Sequence, residues 1–186
     1  MTVSQMTDCL ERSPVIAAVQ EKLFEDALAS PVEVIFHMKA NLITAAQCIR
    51  KAHDAKKKIL VHIDLAEGIG RDRAGIQFLA DCGADGIIST RSQMIRYAKE
   101  AGLLTVQRFF ALDSQGVESI GEMTESSCPD LMEIMPGIAG KIIQRFSGGS
   151  IPVIAGGLIE SKEEVTRALG YGALAVSTGK KPLWYL

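Results

Sequence analysis

The stretch Ile151-Pro152-Val153-Ile154-Ala155-Gly156-Gly157-Leu158-Ile159 decides the fold. Its apolar, β-branched run reads as a strand buried on both faces. Two glycines follow the run. Ser161-Lys162-Glu163-Glu164 then opens a helical pattern, in which Ser161 can cap and the two glutamates suit the positive end of a helix. The order is therefore strand, glycine turn, helix. The chain begins the same pattern again at Ala173-Leu174-Ala175-Val176-Ser177-Thr178-Gly179, a buried-type strand ending in small and hydroxyl residues. Backbone N–H groups that no side chain crowds can close on an anion such as phosphate. In an α/β barrel the loops after the last two strands are a frequent phosphate site.

Working outward, the preceding residues supply six more strand candidates, at 13–19, 32–38, 59–64, 84–90, 104–110 and 130–137. Helical stretches alternate with them at 21–29, 42–55, 74–82, 93–101, 117–125 and 138–146. Strand and helix in turn, at a spacing of about 20 to 26 residues, mean βα units and a parallel sheet. Eight such units predict an α/β fold closed as a (β/α)8 TIM-like barrel. At 186 residues the chain is short for one, so its helices must be brief; it is read as a single barrel domain over residues 1–186. The competing open, doubly wound sheet lacks its dinucleotide fingerprint, since no G-x-G-x-x-G follows the first strand.

Composition narrows the function classes. The net charge of −2 gives no global positive field, so any RNA site must be a local patch. Cys9, Cys48, Cys82 and Cys128 are widely spaced, with no C-x-x-C pair. They suit a reducing cytoplasm rather than a disulfide frame or a zinc site, and no metal-ligand cluster or nucleophile motif stands out. Residues 1–12 contain Asp8 and Glu11 and no apolar block, so they do not read as a secretory signal. No apolar run is long enough for a membrane span.

In such a barrel the residues at the C-terminal ends of the strands face the site. Those ends carry Lys39, His62, Asp64, Thr90, Arg91, Gln107, Arg108, Glu133, Gly156, Gly157, Ser177, Thr178 and Gly179, with Lys180 just beyond. Polar groups recur there on strands whose middles are Val, Ile and Leu. His62 and Asp64, two apart, are expected on one strand face, able to bond a polyol or exchange protons. Glu133 is costly to bury unpaired and calls for Lys39, Arg91 or Arg108 as its partner. Lys39 or Arg91 is expected to supply charge to the phosphate. Arg71, Arg73 and Lys181 fall on the same rim and form, with Arg91 and Lys180, the one basic cluster available to RNA; anion steering explains it equally.

Several of these motifs occur together and in order: His62-Ile63-Asp64-Leu65 with Gly68, Gly86-Ile87-Ile88-Ser89-Thr90-Arg91, Gln107-Arg108-Phe109 with Asp113-Ser114, Pro129-Asp130 with Glu133 and Pro136-Gly137, Ala155-Gly156-Gly157-Leu158-Ile159, and Ala175-Val176-Ser177-Thr178. From Ser13 to Trp184 the chain resembles the glycerol-3-phosphate-responsive antiterminators of glycerol uptake operons. The resemblance implies a barrel-like cytoplasmic regulator. It implies glycerol-3-phosphate as the effector, no cofactor, and the leader mRNA of glycerol-catabolism genes as partner. It leaves a homo-oligomer open. The residues alone point elsewhere, to a barrel enzyme on a small phosphorylated substrate, with His62, Asp64 and Glu133 as acid–base groups.

Overall fold

The computed structural model describes residues 1–186. Eight parallel strands close into a barrel in sequence order: β1 (Val15–Val19), β2 (Val34–His37), β3 (Lys58–His62), β4 (Gly86–Ser89), β5 (Leu104–Phe110), β6 (Leu131–Met135), β7 (Val153–Gly156) and β8 (Ala175–Thr178). Closure is made by β8 on β1, where Val15, Ile16 and Ala17 pair with Val176, Ser177 and Thr178. The (β/α)8 architecture expected from the alternation is the one the chain adopts. Seven helices cover the outside: α2 (Phe24–Ala29), α3 (Ala45–Asp54), α4 (Arg73–Asp81), α5 (Ser92–Glu100), α6 (Ser114–Ser127), α7 (Gly140–Ser147) and α8 (Lys162–Gly170). Of these only α6 exceeds three turns. No helix is long and apolar enough to cross a membrane.

Strand alternation builds two cores. Ile16, Phe36, Leu60, Ile88, Val106 and Ile154 fill the barrel interior. Their neighbours Ala17, Ile35, Val61, Ile87 and Ala155 face outward and join the layer beneath the helices. Ser161 opens α8 as expected: its hydroxyl accepts from the Glu164 amide, and the Glu164 carboxylate accepts from the Ser161 amide.

The structure departs from the sequence reading at three places that matter for the site. Residues 1–12, read only as lacking a signal, form α1 (Val3–Arg12), opened by a Thr2–Gln5 capping box. Its Met6, Cys9 and Leu10 are buried with the interior residues, so α1 seals the barrel at the end where the strands start. Second, β3 stops at His62, and residues Ile63–Leu65 turn as a 3-10 helix. Third, no α-helix follows β8; the 3-10 stretch Lys181–Tyr185 packs on β1 and α2 instead. Trp184 anchors it, buried, with its indole N–H donating to the Thr178 carbonyl at 2.9 Å.

Candidate functional site

A cavity of about 210 Å³ opens at the C-terminal mouth of the barrel, above β6, β7 and β8. Arg108, Glu133 and Ser177 form its floor. Alternation forces this, because each falls on an inward position of its strand, two residues beyond Val106, Leu131 and Ala175 of the interior core. Glu133 is fully buried. Its carboxylate accepts from Arg108 Nε at 2.6 Å and from the Ser177 hydroxyl. Arg108 is therefore the partner that Glu133 requires. A second guanidinium nitrogen, Nη2, lies 3.6 Å from Met38 Sδ.

The wall is the pair of turns after β7 and β8. At Gly156 an ideal Cβ would stand 2.4 Å from Glu133 Oε1 and 2.8 Å from Ser177 Oγ, so only glycine lets the carboxylate lie there. Gly157 (φ +75°) and Leu158 (φ +59°) then take left-handed backbone in succession. For Leu158, with its Cβ, that conformation is strained, and strain of this kind concentrates at functional sites. The Leu158 side chain is exposed at the mouth. The consequence is chemical. The amide N–H groups of Gly157, Leu158, Ile159 and Gly179 donate to no carbonyl of the chain, although all four residues border the cavity. Successive unpaired amides around a concavity are an anion cradle. Lys180 stands beside it, its ammonium 2.9 Å from Glu160.

The structure gathers Arg108, Glu133, Gly157, Ser177, Thr178 and Gly179 around one cavity, with Gly156 directly behind Glu133 and Ser177. The Thr178 hydroxyl donates to the Ile159 carbonyl, 2.8 Å away, and so ties the turn after β7 to the end of β8. His62 lies in the same interior, buried, with Nδ1 unpartnered. Burial, and then the Arg108 charge, push its pKa down to about 4, against the opposing pull of Asp64 and Glu133. The ring is therefore neutral at pH 7.

Other expected site residues are not brought to this cavity. Gln107 faces outward because its neighbour Arg108 faces inward; it bonds Ser92 Oγ at 3.0 Å and the Ser127 hydroxyl under α5 and α6. Asp64 does not share a face with His62, since the 3-10 turn breaks the alternation. It accepts instead from Ser89 Oγ (2.8 Å) and from the amide and hydroxyl of Thr90 (2.7 and 3.0 Å). That network occupies Thr90 as well. Arg91 stays near Asp64, at 3.9 Å. Lys39 pairs with Glu67 at 2.7 Å, away from the cradle. The two cations that line the cavity are Arg108, paired to Glu133, and Lys180, paired to Glu160.

Of the three rim cations expected at RNA, two are paired to carboxylates of the chain. Arg73 pairs with Glu100 of α5 and lies 4.2 Å over the Tyr97 ring, whereas Lys181 is held by Asp26 of α2 at 2.7 Å. Sequence reasoning also passed over Met38, Met135, Leu158 and Glu160, which line the cavity. Only Leu158, an apolar residue stranded after two glycines, carried a signal for it.

Known proteins share this fold. A glycerol uptake operon antiterminator regulatory protein of Listeria monocytogenes superposes with a TM-score of 0.86 at 35% identity, over 91% of this chain and 94% of that one. A glycerol uptake operon antiterminator-related protein of Thermotoga maritima gives 0.83 at 32%, over 92% and 98%. The uncharacterized protein YgcP of Escherichia coli is 34% identical over 95% of this chain and 94% of its own. The sequence model of the glycerol-3-phosphate responsive antiterminators matches residues 15–184, and the chain belongs to that family.

Proposed function

We propose that the cavity binds glycerol-3-phosphate and that its occupancy controls binding of a leader mRNA in antitermination. The cradle of unpaired amides at Gly157, Leu158, Ile159 and Gly179 carries the reading. It supplies donors where a phosphate needs them, and Lys180 adds charge at its edge. The glycerol end then lies toward Arg108, Glu133 and Ser177, where a hydroxyl can both accept from the guanidinium and donate to the carboxylate. A carboxylate at the floor keeps the phosphate at the cradle. The family to which the chain belongs, glycerol-3-phosphate responsive by description, supports the same ligand.

Thermal unfolding tests it. Glycerol-3-phosphate at a hundred times its dissociation constant adds about 2.7 kcal/mol, a rise of roughly 5–10 °C for a chain of this size. Glycerol, without the phosphate, shifts the midpoint little. Gly179→Asp is the diagnostic variant: a Cβ there meets nothing nearer than the Ala18 carbonyl oxygen at 3.3 Å, and the new carboxylate occupies the cradle. Gly157 is less suitable, because its φ is +75° and a Cβ would stand 2.5 Å from Met135 Cε. Equal shifts with glycerol and glycerol-3-phosphate, or a folded Gly179→Asp protein that keeps its response, reject the assignment.

A further inference from the structure

We propose that α6 and α7 form a self-complementary face on which a second copy of this chain docks, about a two-fold axis running along the groove between them. The two helices differ in sign. α6 carries Glu118, Glu122 and Glu125 and no cation, whereas α7 carries Lys141 and Arg145 and no carboxylate. Each set recurs at three or four residues, so it forms one stripe along its helix. All five side chains are exposed, and none forms an ion pair within the chain. By contrast, the exposed Lys51, Arg73 and Lys181 are each paired. The groove itself is open. α6 makes less contact with α7 than with α5. A cavity of about 470 Å³ lies between their N-terminal halves and one of about 230 Å³ between their C-terminal halves. Arg145 borders both, with Glu118 in the first and Glu125 in the second. Val117 and Ile142 give the larger cavity an apolar floor, and Leu112, 80% exposed, stands on its rim.

Symmetry selects the occupant. Dimers of identical chains are most often isologous, each patch meeting its own copy. A two-fold parallel to the helices sets α6 of one copy opposite α7 of the other, twice. Carboxylate stripe then meets cation stripe at both places. Groove also meets groove, which covers Leu112 and the apolar floor. A two-fold crossing the helices sets α6 on α6 and α7 on α7, so like charges oppose and that arrangement is disfavoured. The charges therefore fix the register, while the apolar floor supplies the desolvated centre. RNA suits this face poorly, because three carboxylates on one wall repel phosphates.

Sedimentation velocity of the full chain tests the proposal. The wild type sediments as a dimer at about 100 μM, and added salt weakens it. Lys141→Glu with Arg145→Glu makes both helices acidic and weakens self-association at least about a hundredfold. Glu118→Lys, Glu122→Lys and Glu125→Lys together make both helices basic and do the same. An equimolar mixture of these two variants restores a heterodimer, because every acidic helix then faces a basic one. None of the five side chains is ion-paired in the folded chain, so the variants are expected to keep the wild-type unfolding midpoint. Should either reversal fail to fold, the corresponding Gln variants read the same contacts, as a loss of about tenfold. A wild type that stays monomeric at about 100 μM, folded reversal variants that still dimerise, or a mixture that stays monomeric overturns the proposal. A monomeric wild type whose Lys141→Glu, Arg145→Glu form alone loses leader RNA would give these cations to RNA instead.

Discussion

At the scale of single residues, the barrel mouth is organised by one buried ion pair and one neutral histidine. Removing one partner of a buried pair leaves the other charge unsatisfied. Glu133→Gln is therefore expected to destabilise the protein by about 3 kcal/mol, and Ser177→Ala by less. Urea unfolding measures both; a Glu133→Gln cost below about 0.5 kcal/mol would show that Arg108 has found another acceptor. His62 sets a pH dependence. Its folded pKa, about 4, lies below the ordinary value near 6.5. Between these two values the unfolded chain binds a proton that the folded chain refuses. Stability therefore falls as pH drops through that window, by about 3 kcal/mol in all, and no further below it. His37, depressed by its own burial, adds in the same direction. The difference in unfolding free energy between wild type and His62→Gln should follow this curve from pH 7 to pH 4. A flat difference would mean that water reaches the ring.

At the scale of elements, α1 and the turns after β7 and β8 carry opposite duties. α1 buries Met6, Cys9 and Leu10 against the interior, so it is part of the core although it precedes the first strand. Leu10→Ala is expected to cost about 2–5 kcal/mol by leaving a cavity, whereas Ile43→Ala, at a side chain 89% exposed, should stay within about 0.5 kcal/mol. Comparable values in urea unfolding would show that α1 frays from the barrel. This helix was legible in principle. Thr2 and Gln5 have capping-box spacing, and Met6, Cys9 and Leu10 lie on one helical face. The βα repeat does not announce it, because each helix of the repeat is placed by the strand before it and α1 has none. The turns after β7 and β8 were legible for the opposite reason: glycine and hydroxyl residues at the end of a β-branched run have few other uses. Their left-handed backbone at Leu158 was not legible, since no residue type announces it.

At the scale of the whole molecule, the cavity gathers residues from one side of the barrel mouth. Every expected ligand-binding residue that lines the cavity lies on β5 to β8 and their loops. Arg73 and Lys181 lean on different helices and are already paired, Arg73 to Glu100 and Lys181 to Asp26. If RNA uses this rim, replacing Arg71, Arg73 and Lys181 together by Ala should weaken retention of a glycerol-operon leader and reduce its salt slope by up to about 3. Unchanged retention and slope would move the RNA surface elsewhere on the molecule. The sequence by itself determined the barrel and its strand order, because hydrophobic period is local and each strand pairs with the next. It also determined that Glu133 needs a cation. Only the tertiary structure decided which cation that is. Arg108 reaches Glu133 because both point inward from adjacent strands, while Gln107, one residue away, cannot turn inward. Asp64 was lost to the site by a single turn of 3-10 helix. Register and inward or outward facing are set when the strands close on one another, and a shift of one residue reverses every side chain.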